Sequence, residues 1–141
     1  MNSNQKLYVF LDIIMTQKTE KGREIMVEKI VEALVELGAI PHRKRTKANT
    51  IRVITNMLEA IKIEYEGRLP RWELKAFVER FARSSGFSER QIYRYINTLK
   101  GIGLLDDYVE IGTQKHYLVL SKRFGSRMLS LYRTHKRWLE E

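Results

Sequence analysis

The sequence predicts a mainly α-helical fold with one small β-hairpin, and three observations predict it. Aliphatic residues recur at three- and four-residue steps along most of the chain. Between Leu104 and Leu120 this rhythm gives way to strand-forming residues, Tyr108, Val109, Ile111, Tyr117 and Val119, around the polar turn Gly112-Thr113-Gln114-Lys115. Glycines stand where the helical stripes stop, at Gly38, Gly86 and Gly103.

Taken in order, Gln5–Met15 (QKLYVFLDIIM) reads as a short buried helix, with Tyr8–Leu11 open to a strand reading, and Thr16–Thr19 is a polar break. Glu20–Leu37 predicts a strong helix. Val27, Ile30, Val31, Leu34 and Leu37 share one face, Glu24, Glu28, Glu32 and Glu36 line another, and Gly38 ends it. Ala39–Lys47 (AIPHRKRTK) holds the densest run of cations, and Pro41 predicts an extended segment. Arg43, Lys44 and Arg45 read either as a solvated linker or as an arm that follows phosphates. Residues 1–48 thus form an N-terminal helical extension ending in a basic loop.

Asn49 or Thr50 is expected to cap the next helix, which runs to about Tyr65. Ile51, Ile54, Leu58, Ile61 and Tyr65 form its main stripe, and Val53 and Met57 a second. A helix that is apolar on two sides is sandwiched, so this one is expected at the centre of the molecule. Pro70 suits the first turn of a further helix, in which Leu74, Phe77, Val78 and Phe81 share a face. Trp72 stands opposite that face and is expected to fold back against the Glu20–Leu37 helix; the alternative is that it marks a partner surface. Arg71 and Lys75, near the helix start, are candidate phosphate contacts.

Ser84-Ser85-Gly86-Phe87 predicts a tight connection into a second helix, Ser88–Gly101. Ser88 is a natural N-cap, and Gln91 completes the capping-box pattern. Ile92, Ile96, Leu99 and Ile102 define one buried stripe. With Ile92 at 0° and about 100° per residue, Asn97, Arg90, Gly101 and Arg94 fall near about 140°, 160°, 180° and 200°. Tyr93 lies on the flank of that outward face. Arginine can donate two hydrogen bonds to guanine, and asparagine can pair with adenine in both directions. The competing reading is an ordinary solvated, arginine-bearing surface. Helix, short glycine turn and capped helix together make a helix-turn-helix pattern. The strands after it are placed at Leu104–Ile111 and His116–Leu120, and Asp106-Asp107 is expected to make turn contacts.

At this point the residues resemble the winged helix-turn-helix superfamily of DNA-binding proteins. The ending Leu-x-x-Ile-Gly-Leu-Leu, Leu99–Leu105, is similar to the helix-to-wing junction of MarR-, PadR- and archaeal Lrs-type regulators. The resemblance spans roughly Thr50–Leu120. It implies a winged unit over residues 49–120 whose Ser88–Gly101 helix enters a major groove. It also implies that the turn with Thr113, Gln114 and Lys115 is a wing beside the phosphate backbone or minor groove. Winged helices also serve as protein-binding modules, so fold alone does not assign function.

Ser121–Glu141 predicts a closing amphipathic helix with Phe124, Met128, Leu131, Tyr132, His135, Trp138 and Leu139 on its apolar side. A helix after the wing commonly supplies the dimer contact in the resembled regulators, so a homodimer through residues 121–141 is expected. Two internal echoes stand out. Asn56-x-Leu58…Ile61-x-Ile63 matches Asn97-x-Leu99…Ile102-x-Leu104, and Leu34-x-x-Leu37-Gly38-x-Ile40 matches Leu99-x-x-Ile102-Gly103-x-Leu105. They read either as the general likeness of amphipathic helices or as a second helix-turn-helix.

Charge separates these regions. The net charge is +9, yet residues 1–40 carry five cations and six anions, residues 41–100 fourteen and six, and residues 101–141 seven and five. Positive charge concentrated over the helix-turn-helix is the footprint of a polyanion binder. There is no cysteine, and His42, His116 and His135 have no metal-ligand spacing. No phosphate-binding glycine loop or nucleophile elbow is present. No cofactor and no enzymatic activity are therefore expected. Neither a signal peptide nor a membrane-spanning run is visible, so a cytoplasmic, nucleoid-associated protein is expected. The sequence thus predicts a sequence-specific double-stranded DNA-binding protein, a transcriptional regulator. The alternatives are a winged-helix protein-interaction module, or a plasmid or viral replication or partition factor. Its expected base-reading residues are Arg90, Arg94 and Asn97, aided by Tyr93, with Ser88 and Gln91 at the helix start as further expected DNA contacts.

Overall fold

The computed structural model describes residues 23–141. The predicted Gln5–Met15 helix and Thr16–Thr19 break, and the predicted start at Glu20, lie outside the described residues. Five helices are described: α1 (Arg23–Glu36), α2 (Lys47–Glu64), α3 (Leu74–Ser85), α4 (Glu89–Ile102) and α5 (Phe124–Glu140). Three strands, β1 (Arg68–Pro70), β2 (Leu105–Val109) and β3 (His116–Leu120), form one antiparallel sheet in the order β1-β3-β2. The protein is therefore mainly helical with a small three-stranded sheet, where the sequence predicted a two-stranded hairpin. β1 is three residues long and ends in a proline, which weakens any strand signal. It pairs only at the sheet edge, with Leu69 opposite Leu118.

The core takes aliphatic and aromatic residues from every layer. Val31, Leu34 and Val35 of α1, Val53, Ile54, Met57 and Ile61 of α2, and Phe77 and Phe81 of α3 are all buried. So are Ile92, Ile96 and Leu99 of α4, and Leu69, Leu105 and Leu118 of the sheet. α2 packs on α1 along one side and on α3 and the sheet along the other, which is the central position its two stripes predicted. Neither Asn49 nor Thr50 caps it, because the helix already starts at Lys47 after Thr46. Both residues tie α2 to the helix-turn-helix instead. Asn49 Nδ2 donates to the Ser85 carbonyl at 2.9 Å, and Thr50 Oγ1 meets Tyr95 Oη at 3.0 Å in a buried contact. The Arg80 guanidinium grips Glu64 with two hydrogen bonds, at 2.7 and 2.9 Å, and fastens α3 to the end of α2. That bond holds the Glu64 carboxyl below its ordinary pKa and raises that of Arg80.

The echo between Leu34–Ile40 and Leu99–Leu105 has a local cause. Both stretches end a helix with the same pair of backbone bonds. Ala39 N donates to Leu34 O and Gly38 N to Val35 O; Leu104 N donates to Leu99 O and Gly103 N to Lys100 O. The glycine between takes positive φ in each, +83° and +97°, and a buried residue follows, Ile40 or Leu105. This is the left-handed helix stop that glycine accommodates without strain. α1 and α2 are joined by residues 37–46, which is not the tight turn of α3 and α4.

Candidate nucleic-acid interface

α4 is positioned by both of its ends. Ser88 has extended backbone angles, and its hydroxyl accepts from the Gln91 amide at 3.1 Å. The cap therefore forms as predicted, although the Gln91 side chain makes no return bond among the described residues. Gly86, at φ +81°, makes the turn from α3 and donates to the Ala82 carbonyl. Phe87 then packs edge-on against Tyr95 at 5.6 Å, and the buried Tyr95 hydroxyl reaches back to Thr50. With Ile92, Tyr95, Ile96 and Leu99 inward, the opposite face is set.

That face carries the predicted residues. Arg90, Arg94, Asn97 and Gly101 are exposed, and Tyr93 is 37 % exposed on the flank. No carboxylate among the described residues lies within ion-pair distance of Arg90 or Arg94. A Cβ on Gly101 would meet nothing within 4 Å, so the end of the ridge is open. The helix has 14 residues, a length of about 21 Å, and the major groove of B-DNA is wide enough to admit an α-helix.

The basic segment is a pinned turn rather than a free extended arm. Ile40 is buried, and a short 3-10 helix covers Lys44–Thr46, closed by Thr46 N donating to the Arg43 carbonyl. Arg43, Lys44 and Arg45 are exposed on it, whereas Lys47 pairs with Glu36. Burying Ile40 fixes where the cations stand. Pro41, His42 and Arg43 share a surface cleft with Ser88, Gln91 and Arg94. The turn and the N-terminal half of α4 are thus one continuous surface. No sequence pattern joined them, since 45 residues separate His42 from Phe87 and their neighbourhood is a product of α2 packing.

The sheet end differs from expectation. Pro70 ends β1 and precedes a 3-10 turn, Arg71–Glu73, so it does not open α3, which starts at Leu74. Arg71 sits on that turn and Lys75 in the first turn of α3; both are exposed. Asp106 and Asp107 lie within β2, not in a turn. Asp107 takes Lys100 at 2.9 Å and Arg71 at 3.9 Å, so it gathers cations beside the C-terminal end of α4. Trp72 does not fold onto α1. It is 61 % exposed and packs edge-on against Tyr117 of β3 at 5.7 Å.

The hairpin tip spends its polar groups on itself. Thr113 Oγ1 donates to Glu110 Oε1 at 2.7 Å, and the backbone N–H of Gln114, at φ +58°, donates to the Glu110 carbonyl. Lys115 Nζ lies 5.5 Å above the Trp72 ring, within cation–π range. Arg68 stacks on both Tyr108 and Tyr117, at 4.7 and 4.8 Å, with Glu110 at 3.7 Å. Sequence reading missed this aromatic-cation row, whose only signal was the in-out alternation of β1. It also ended the first hairpin strand at Ile111, whereas β2 stops at Val109 and Ile111 stands 96 % exposed at the tip.

Among the described residues no helix is long and apolar enough to cross a membrane, and no group of three or more metal-ligating side chains is poised to hold an ion. No protein-family model matches the chain, and comparison with curated proteins and with solved structures finds no match either.

Proposed function

We propose that the chain is a winged helix-turn-helix protein that binds duplex DNA in a sequence-specific way and regulates transcription. The order helix, strand, helix, helix, strand, strand from α2 to β3, with the sheet in the order β1-β3-β2, supports the winged reading. The observation that carries the functional reading is the outward face of α4. Arg90 and Arg94 stand exposed, with no ion-pair partner among the described residues, opposite the buried seam. Guanidinium groups held in this way are free to bond base edges, while Arg43, Lys44, Arg45 and Lys75 supply phosphate contacts that set register. Arg71, Thr113 and Lys115 contribute less, because their side chains already have partners within the chain, whereas Gln114 has only its backbone amide engaged.

A homodimer belongs to this reading. α5 leaves Leu131, Trp138 and Leu139 exposed, Trp138 by 68 %. Phe124 is part of the core, so point substitutions test the contact better than removal of the helix. Trp138→Glu with Leu131→Glu should halve the mass measured by sedimentation, and an unchanged mass would remove α5 as the contact. Two half-sites should then lie about 34 Å apart or a multiple of it.

The test of duplex binding is selection from random duplex DNA, followed by affinity at several salt concentrations. Affinity should fall steeply, with a logarithmic slope of about 0.9 per phosphate neutralised. A flat response with no selected sequence would favour a second reading, a protein-interaction module, for which the exposed Trp72, Tyr108 and Ile111 are the specific support.

A further inference from the structure

Leu69, Leu105 and Leu118 of the sheet face the core, so the residues that alternate with them face away from it. These are Arg68 and Pro70 of β1, Tyr117 and Val119 of β3, and Asp106 and Tyr108 of β2. The register sets Tyr108 directly across from Tyr117, with Pro70 on the other side. Trp72 extends this row. Its ring lies 5.7 Å from that of Tyr117, which lies 6.4 Å from that of Tyr108. Cations are interleaved with the rings, Lys115 over Trp72 and Arg68 over both tyrosines. Trp72 is 61 % exposed and Tyr108 41 %, so bare ring surface remains after those contacts. Each of these two end rings lines an open cleft. The one at Trp72 has a volume of about 640 Å³ and includes Arg71, Lys115 and His116. The one at Tyr108 has a volume of about 770 Å³, and there Arg68, Lys122, Arg123 and Arg127 face Glu66, Asp106 and Asp107. Asp107 is already held by Lys100. Lys122, Arg123 and Arg127 are exposed and have no ion-pair partner among the described residues.

We propose that this sheet face binds single-stranded DNA, with bases stacked on Trp72 and Tyr108 and phosphates against Lys122, Arg123 and Arg127. Every base has a flat face that an aromatic ring can stack on, and each carries a phosphate for a neighbouring cation. Bases inside a duplex are already stacked on one another, so exposed rings suit an unpaired strand. An apolar protein surface fits less well, because it would strip water from Arg68 and Lys115 without supplying counter-charge. Pro70 and Val119 give the sugars an apolar surface within the row. A ribose 2′-hydroxyl would lose its water there, which favours deoxyribose. The inference rests on the sheet face alone and uses no residue of α4.

The test is titration of the full chain with an oligodeoxyuridylate of about twelve nucleotides, which does not pair with itself, read by tryptophan fluorescence. The chain has two tryptophans, Trp72 and Trp138. Saturable binding with quenching is expected, and the quenching should persist in Trp138→Phe and vanish in Trp72→Phe. Trp72→Ala and Tyr108→Ala should each weaken binding about fivefold to a hundredfold. Both side chains are exposed, and an unchanged unfolding temperature checks that the variants fold. An abasic strand of equal length, which keeps the phosphates and lacks the bases, should bind about tenfold more weakly or worse. Oligouridylate, which adds only the 2′-hydroxyls, should also bind more weakly. Absence of saturable binding up to about 0.1 mM would overturn the inference and leave the face to a protein partner. Equal affinity for the abasic strand, or in the Trp72 and Tyr108 variants, would overturn it too, and oligouridylate binding as tightly would overturn the choice of DNA. Loss of single-strand binding in the Arg90→Ala, Arg94→Ala double variant, with none in Trp72→Ala, would place the strand on α4 and end the proposal. A chain that binds the single strand and no duplex keeps this inference and loses the proposed function. A chain that binds duplex and no single strand does the reverse.

Discussion

The two cationic ends of the α3–α4–hairpin unit are built in opposite ways. On α4, Arg90 and Arg94 stand in solvent with no carboxylate among the described residues in ion-pair range. Around the hairpin the cations are engaged already: Lys115 over Trp72, Arg68 on two tyrosines and near Glu110, and Arg71 on Asp107. A cation that must leave an internal partner to meet a phosphate gains less than one that exchanges only counterions and water. Exposure of charge is therefore not equivalent to availability of charge. On the proposed function, this contrast gives recognition to α4 and the pinned basic turn and leaves the hairpin a secondary part.

The contrast breaks first if the seam behind the ridge is removed. Ile92 is fully buried at the centre of that seam. Ile92→Ala should cost about 2–5 kcal/mol in denaturant unfolding, and specific duplex binding should fall with it. A loss well below 1 kcal/mol would mean that α4 is not held by this stripe. Next in size is the anchor between α2 and α4. Thr50→Val leaves the buried Tyr95 hydroxyl without its partner and should cost about 1–3 kcal/mol in the same measurement.

Smaller effects sharpen the comparison by setting one cation against another. Arg43→Ala should lower the salt slope of duplex binding by about 0.9, whereas Lys115→Ala should leave it nearly unchanged. Equal losses would erase the distinction between the turn and the hairpin. Smallest is the Glu64–Arg80 pair, whose members are about half exposed, at 45 % and 50 %. Its folded-state carboxyl pKa is lowered from 4.5 by the Arg80 hydrogen bond. The contribution is therefore present at neutral pH and is lost as pH falls below 4.5 through the lowered folded value. Glu64→Gln should flatten that acid limb and cost about 0.5 kcal/mol or less at pH 7.

Much of this fold was legible because its signals are local. The Ile92, Ile96, Leu99 stripe, the Ser88 cap and the left-handed stops at Gly38 and Gly103 each lie within a few residues. The same periodicity showed which way Arg90 and Arg94 face. What was missed depends on residues far apart in sequence. β1 exists because Leu69 finds Leu118 across the sheet, and its own three residues, ending in proline, argue weakly for a strand. Thr50 looked like a cap because Ser, Thr and Asn near a helix start usually are; a buried tyrosine 45 residues on claims it instead. Trp72 was assigned to the wrong neighbour for the same reason: its partner, Tyr117, arrives with β3. The proximity of Arg43 to Arg94 also arises only when α2 is packed.

On the proposed function, Arg94 reads bases from an exposed position with no ion-pair partner among the described residues. The direct measurement is the affinity of Arg94→Glu, relative to the unaltered chain, for a selected duplex and for a scrambled duplex of equal length at one salt concentration. The account predicts a larger loss on the selected duplex, by about tenfold or more, since a good arginine–guanine contact is worth about 1–3 kcal/mol of discrimination. An equal loss on both would contradict it, and would reduce the ridge of α4 to nonspecific charge.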